Sequence, residues 1–409
     1  MLQTVNGSKA GLRRRDFIAG AGAAAFSFLL VGPSAVRGTA VNSRIRAGIV
    51  GVGQRGMMIA GMLAAHGGYE LAAVADYFEP VARAAGERFG VPEARRFSGL
   101  SASEKLVASG VDAVFLETPP YCFPEHVEAA VKAGHHVYIA KPLGCDVPGC
   151  LKISEMAKRA TASKQVFLVD FQTRTDPFFI EGVQRVRDGA IGPIAMLSSE
   201  YNDESFSDPP RTATIESRLQ QLIWVNDEAL GGSYLVNAGI HAIDVALWIA
   251  GQMPVSAMGA SRIGRADPHG DSHDVYSITY EFADGLILNH RGEHLKNRFE
   301  FRSDCFAQGR DGYLETGYTT RVRILGNRAG WRGGDVVELY PNGAIRNIDA
   351  FHKCVTDGVC DNPTVEPSVN ATLATILGRE AARRRTRLTL DELIRENRRL
   401  EVDLTGLKA

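Results

Sequence analysis

The sequence predicts an α/β protein in two parts: a doubly wound parallel sheet, then an α+β domain with a mostly antiparallel open sheet. Three observations predict it. Strand and helix patterns alternate from about residue 44 to 168, which requires a parallel sheet with right-handed crossovers. A glycine-rich turn, Gly51-x-Gly53-x-x-Gly56, joins the first strand to the first helix. From residue 194 the pattern changes to period two. Tyr276, Ile278, Tyr280 and Phe282 alternate with Val275, Ser277, Thr279 and Glu281, as in a sheet covered on one face.

The chain has 409 residues, enough for two domains. Its formal net charge is -1. That is not the basic excess a nucleic-acid partner would need. Residues 1–43 read as an export signal and linker. Arg13 to Arg15 form a basic patch, an apolar stretch runs from Phe17 to about Val31, and small residues continue to Ala40. The stretch is shorter than the ~20 strongly apolar residues of a membrane span. Stable membrane insertion is therefore not expected once the signal is removed near Ala40. Arg14-Arg15 before Asp16-Phe17-Ile18 resembles a twin-arginine signal, a route for folded proteins to the periplasm. A Sec signal or an uncleaved anchor is the alternative.

The folded part is expected to begin at about Arg44, with the nucleotide-binding domain over 44–168 and a substrate and oligomerisation domain over 169–409. "RIRAGIVGVGQRGMMIAGMLAA" is a strand, the glycine turn and a helix. The next strand, "ELAAVAD", ends at Asp76, twenty residues after Gly56. That context makes the glycines a dinucleotide fingerprint. Gly51 allows the tight turn, Gly53 lets backbone approach the pyrophosphate, and Gly56 lets helix and strand pack. The helix N-terminus then favours the anion. Asp76 can accept from the ribose hydroxyls and repel a 2'-phosphate, which favours NAD over NADP. The plainer alternative for Asp76 is a strand-end turn residue.

Further helices follow in "PVARAAGERFG", "LSASEKLVASG", "PEHVEAAVKAG" and "PGCLKISEMAKRATASK". Strands follow in "VDAVFLETPP", "HHVYIAKP" and "QVFLVDFQTRTDP". Ligands of such sheets bind beyond the C-terminal strand ends. Gly51, Asp76, Thr118, Lys141 and Gln172 all fall there.

Six cysteines follow the signal: Cys122, Cys145, Cys150, Cys305, Cys354 and Cys360. An oxidising compartment permits disulfides, but spacing does not assign pairs. No C-x-x-C or H-E-x-x-H pattern supports zinc. "DPHGDSHD", with His269, Asp271, His273 and Asp274, reads as a polar loop rather than a cation site.

Two stretches resemble the Gfo/Idh/MocA family of nicotinamide-dependent oxidoreductases. "AGHHVYIAKP" places Ala140-Lys141-Pro142 where the family typically has Glu-Lys-Pro. "WVNDEALGGSYLVNAGIHAID" carries the family's Trp224, Asp227, Gly231, Gly232, His241 and Asp244, with Asn237 at its aspartate position. The resemblance covers about residues 44 to 405. It implies that Lys141 holds and polarises a substrate oxygen, that His241 is the base, and that Asn237 supports His241 without charge. It implies cofactor contacts from Gly51, Gly53, Gln54, Arg55, Gly56, Asp76, Thr118, Pro119, His126, Lys141 and Gln172. Substrate contacts would come from Lys141, Arg174, Trp224, Asn237 and His241. Arg174 and Asp176 match the family's Arg-x-Asp-Pro, which can equally stabilise a turn.

In the second domain, strands are expected in "PIAMLSSEY", "VSAMGASRI", "DVYSITYEF", "LILNHRGEHL" and "NRFEFRS", with a hairpin at Asp284-Gly285. Helices are expected near "QLIWVNDE", at "NAGIHAIDVALWIAG" and at about 368–385, the last between the domains. The resemblance implies a homo-oligomer through the open sheet face. The expected function is oxidation or reduction of a hydroxyl on a sugar, glycoside or polyol. An exported enzyme cannot rely on free cofactor turnover, so tightly held, internally recycled NAD is expected. Redox-neutral glycoside cleavage by oxidation, elimination, hydration and reduction is one alternative. A non-catalytic sugar-binding protein with a vestigial nucleotide domain is the other.

Overall fold

A computed structural model describes residues 44–204, 206, 208, 215–219, 223–327 and 330–409. The export signal with Arg14 and Arg15, and the centre of the polar loop 201–220, lie outside the described residues.

The first sheet is built from β1 (Ile45–Val50), β2 (Tyr69–Asp76), β3 (Arg96–Ser98), β4 (Ala113–Leu116), β5 (His136–Ala140) and β6 (Phe167–Asp170). All its pairings are parallel, in the order β3-β2-β1-β4-β5-β6. The order reverses between β1 and β4, so the Rossmann topology and its ligand crevice follow. The connecting helices are α1 (Gln54–His66), α2 (Glu79–Phe89), α3 (Ala102–Val107), α4 (Phe123–Lys132) and α5 (Val147–Ala162). Strands β4 and β6 are buried along their whole length, as a sheet covered on both faces requires.

Helix α6 (Pro177–Arg187) leads into the second sheet, β7 (Ile194–Asp203). Asp176 caps α6 by accepting from the Phe178 and Phe179 amides. Two helices follow, α7 (Glu228–Gly231) and α8 (Ile240–Ala250). The strands continue as β8 (Pro254–Arg262), β9 (Val275–Phe282), β10 (Ile287–His294), β11 (Arg302–Gly309), β12 (Gly312–Gly317), β13 (Arg321–Gly326) and β14 (Trp331–Asp335). Helices α9 (Leu339–Asp357) and α10 (Val365–Arg384), the short strand β15 (Leu388–Thr389) and α11 (Leu390–Glu396) follow. The nine strands run β14-β13-β12-β11-β7-β10-β9-β8-β15, antiparallel except for the β7–β10 pair.

Helix α9 returns to the first sheet. Its Ala344, Ile348 and Phe351 pack with Ile49, Phe115 and Tyr138. Helix α10 is buried almost all round and lies against α5, α8 and β8. It therefore shares one core between the two sheets. The outer face of the second sheet stays open, with Ile287, Asn289 and Arg291 exposed while Leu288, His290 and Gly292 are buried. The Asp284-Gly285 hairpin forms as expected: Gly285 has φ +86 and the Asp284 carboxylate accepts from Leu286 N at 3.1 Å.

Two expectations shift. The strand expected over 297–303 starts at Arg302, because the Asn297 side chain accepts from Phe299 N and Arg298 takes a positive φ of 63. That local turn competes with the sheet ladder. The helix expected at "QLIWVNDE" is a 3-10 turn, Ile223–Asn226, before the short α7. Asp227 caps α7 through the Ala229 and Leu230 amides, which starts a new helix there.

All six cysteines are free thiols. In the loop between β8 and β9, the Asp274 carboxylate accepts from Gly264 N and Arg265, Asp271 accepts from Glu228 N, and His273 meets the Ser261 hydroxyl. These side chains have protein partners of their own, and among the described residues no cluster could hold a metal.

Candidate active site

The site lies beyond the C-terminal ends of the first sheet. Gly51 has φ +87, and a Cβ there would lie 2.8 Å from the Glu117 and Thr118 backbone. A Cβ on Gly56 would lie 1.8 Å from the Gly51 carbonyl oxygen. Both must be glycine for the turn to close. A Cβ on Gly53 would meet nothing within 4 Å. Helix α1 starts beside it at Gln54 with no side-chain cap and no acidic residue in its first turn. The amides at this helix start are thus left for an anion, beside open space that a pyrophosphate would fill. These residues fit a dinucleotide.

Asp76 ends β2 with one oxygen accepting from Val52 N at 2.9 Å and the other from Phe78 N at 3.0 Å. Its carboxylate ties the glycine turn to β2 while keeping lone pairs for a ribose. Burial raises its pKa, and the Phe78 and Val52 amides oppose that. Asp76→Ala is expected to weaken NAD binding and to raise NADP affinity relative to NAD, because the charge facing a 2'-phosphate is removed. Titration of both nucleotides checks the ratio; an unchanged ratio would mean Asp76 does not reach the ribose.

Thr118 and Pro119 follow β4, and the Thr118 hydroxyl meets His126 Nδ1 of α4 at 3.3 Å. Burial holds His126 down at about 4, so the ring is neutral. Arg55 does not reach out for phosphate. Its Nε lies 2.9 Å from Glu117 Oε2, and its Nη2 bonds Asp170. Its guanidinium also lies 5.1 Å from the centre of the Tyr340 ring. Asn347 of α9 donates to the other Asp170 oxygen at 2.6 Å. Gln172 is also placed differently from expectation. It is buried, and its side-chain oxygen accepts from the Tyr318 hydroxyl at 3.4 Å, so it supports the site from below.

Lys141 follows β5 and crosses to the second domain. Its Nζ donates to the Asn237 backbone carbonyl at 2.6 Å. Asn237 lies in a π-helical turn, Leu235–Gly239, directly before α8. Such turns widen the helix and often mark functional positions. Asn237 thus meets Lys141 through its backbone and not through its amide. Burial lowers the Lys141 pKa to about 7, helped by Arg55 and opposed by Asp170 and Glu117. Burial also raises Glu117 to about 7, with Arg55 opposing.

His241 sits in the first turn of α8, buried among Phe171, Tyr201 and Tyr318, with Tyr201 stacked at 6.2 Å and 17°. Its Nδ1 is buried and has no hydrogen-bond partner among the described residues. Burial first, then the Lys141 and Arg55 charges, push its pKa well below the usual value. The ring is therefore neutral at ordinary pH, with Nδ1 left without a partner among the described residues. Trp224 packs near Gly231 and takes no part in this ring of aromatics.

Arg174 needs correction as a substrate contact. Its Nε and Nη2 grip both Asp244 oxygens at 2.8 to 3.2 Å, and it covers the Trp248 ring at 5.0 Å. Asp244 is three residues after His241, on the same face of α8. Arg174 therefore fixes the helix that presents the histidine.

The two sheets thus define a dinucleotide-dependent oxidoreductase, with the nucleotide crevice on one and a buried, neutral histidine carried against the other. The chain belongs to the Gfo/Idh/MocA family: residues 45–168 match its NAD-binding Rossmann oxidoreductase domain and residues 181–329 its C-terminal domain. It is 28% identical over 255 residues to inositol 2-dehydrogenase of Rhizobium meliloti (strain 1021), covering 60% of this chain and 69% of that protein. It is 26% identical over 252 residues to 2,7-anhydro-N-acetylneuraminate hydratase of Escherichia coli (strain K12), covering 59% and 60%. The solved aldose-aldose oxidoreductase of Caulobacter crescentus, complexed with glycerol, shares the fold. It has TM-score 0.67 and 21% identity, over 85% of this chain and 99% of that one.

Proposed function

We propose that this protein is an exported, NAD-dependent oxidoreductase acting on a hydroxyl of a sugar, glycoside or polyol, with resident cofactor restored in each cycle. One observation carries the reading: Lys141 from the nucleotide sheet donates to the turn that presents His241, so a donor and a neutral base are joined across the crevice. A nicotinamide bound there supplies the hydride acceptor. Lys141 would hold the substrate oxygen and stabilise negative charge on it. His241 Nδ1 or its other ring nitrogen would take the hydroxyl proton. The buried aromatics would exclude water. Names among the relatives support a hydroxylated substrate: an inositol dehydrogenase and an aldose-aldose oxidoreductase.

A relative named as a hydratase supports a second reading, redox-neutral cleavage of a glycoside. One experiment tests both. The mature protein is purified and its bound nucleotide followed by absorbance as sugars, polyols and glycosides are added. Net oxidation leaves reduced cofactor until a second substrate is supplied. Cleavage returns the cofactor to its starting state with a cleaved product. No redox change with any bound sugar would favour a non-catalytic binding protein.

Export rests on the amino-terminal pattern, and changing Arg14 and Arg15 to lysine is expected to hold the precursor in the cytoplasm. Fractionation of cells checks this; normal export of the double variant would overturn the twin-arginine route. The same reading carries a homo-oligomer through the open face of the second sheet.

A further inference from the structure

After α11 the chain turns back across the nucleotide sheet. Leu400 N donates to the Asp146 carboxylate at 2.7 Å, and Asp146 caps the helix after β5. The Val402 backbone meets the Tyr121 side chain, in the turn after β4. Lys408 N donates to the Tyr77 hydroxyl at 3.0 Å, directly after β2. The Lys408 carbonyl accepts from Leu100 N at 2.9 Å, just after β3. Gly99, at φ +85, is needed for this approach, since a Cβ there would lie 2.3 Å from the Ala409 carbonyl oxygen. A third segment joins the far end. Glu216 accepts from the Tyr77 hydroxyl at 3.3 Å and lies 3.7 Å from Lys408 Nζ.

The anchors therefore run in order over the C-terminal ends of β5, β4, β2 and β3. That is the edge on which Gly51, Asp76 and Thr118 lie. With the ribose on Asp76, the adenine of a dinucleotide extends toward the turns after β2 and β4, where Tyr77 and Tyr121 stand. We propose that residues 397–409 form a strap that completes the adenosine half of the dinucleotide site and retains the nucleotide. This rests on the reading that a dinucleotide is resident. The strap does not plug the cradle. Its bonds fall on Tyr77, Leu100, Tyr121 and Asp146, while Asp76 and the glycine turn are bonded to each other. The strap itself is mostly exposed, Leu404 at 44%, while Leu400 is buried. Little apolar burial holds its distal end, so its hydrogen bonds to the strand-end turns set how readily it opens.

The test uses two forms of the full mature protein besides wild type. One ends after Asp403 and keeps buried Leu400. The other is Tyr77→Phe, which keeps the ring and loses the hydroxyl that meets Lys408 and Glu216. Each is loaded with NADH, and release is followed by fluorescence during a chase with excess NAD. Release is expected to be roughly tenfold faster in the truncated form, the scale of losing one or two hydrogen bonds, and faster by a smaller factor in Tyr77→Phe. Association rates are expected to be unchanged. Slow wild-type release matched by equally slow release from both variants overturns the strap alone and leaves the resident-cofactor reading standing. Tighter binding after truncation also overturns it, since the tail would then be a plug. A wild type that binds neither NAD nor NADH overturns both readings.

Discussion

Lys141→Met is expected to slow single-turnover hydride transfer by roughly a hundredfold or more, the scale for losing one positioned donor or proton-transfer group. Methionine keeps much of the aliphatic stem, so folding and nucleotide binding should change little. The pH dependence should change as well. Burial holds the Lys141 ammonium at about 7. A charged donor with that pKa is lost as pH rises, so wild-type kcat/KM should fall on the alkaline side of about 7. His241 lies far below its usual value and adds no acid limb near neutrality. In Lys141→Met the alkaline limb should vanish along with most of the rate. His241→Ala should be impaired on a similar scale, and the double variant should be little worse than either, because groups acting together are not additive. A wild-type rate in Lys141→Met would remove the donor from the mechanism.

The nucleotide half was legible because its signals are local. Glycine spacing, a strand before it, a helix after it and an acid at the next strand end all lie within about thirty residues. The placement of Lys141 after β5 and of His241 in the first turn of α8 was legible through short stretches that resemble a family. The charge balance around them was not. Ala140 breaks the family's Glu-Lys-Pro, which in sequence reads as a missing carboxylate. The register pairs Ile139 with Leu116 and Ala140 with Asp170. Glu117 and Asp170 therefore flank Ala140 at one level of the sheet, and the neighbouring strands supply the carboxylates. Glu117 was in plain view before Thr118-Pro119, but strand order is needed to see that it faces Ala140. Arg174 and Gln172 were misread for a related reason. Their partners, Asp244 and Tyr318, lie 70 and 146 residues away, and no local pattern reports such a pairing. The strap was invisible because its anchors are single polar groups, one a backbone amide, scattered over four separate turns.

The same buried charges make the loss of Arg55 costly to folding. Arg55→Met would remove the cation bonded to both Glu117 and Asp170, whose side chains are fully shielded from solvent, and leave only the more distant Lys141 charge to offset them. Breaking a buried pair by removing one partner costs about 3–5 kcal/mol, because the remaining charge is uncompensated. Asn347 still satisfies one Asp170 oxygen, but Glu117 Oε1 has no hydrogen-bond partner among the described residues. The loss should depend on pH. Glu117 in the folded protein is raised to about 7 from an ordinary value of 4.5. A carboxyl raised on folding contributes stability that is present at low pH and lost as pH rises through the folded value. Arg55 opposes that rise, so its removal lifts the folded value further and widens the alkaline deficit. Denaturant unfolding of Arg55→Met against wild type should therefore show a larger difference at pH 8 than at pH 5.5, where Glu117 can take up a proton. Arg55→Lys should recover part of the stability through its charge, but it cannot span both carboxylates as the guanidinium does. A difference that is equal at both pH values would mean that Glu117 is not the group left unpaired, and that Arg55 contributes through its stem and the Tyr340 ring instead.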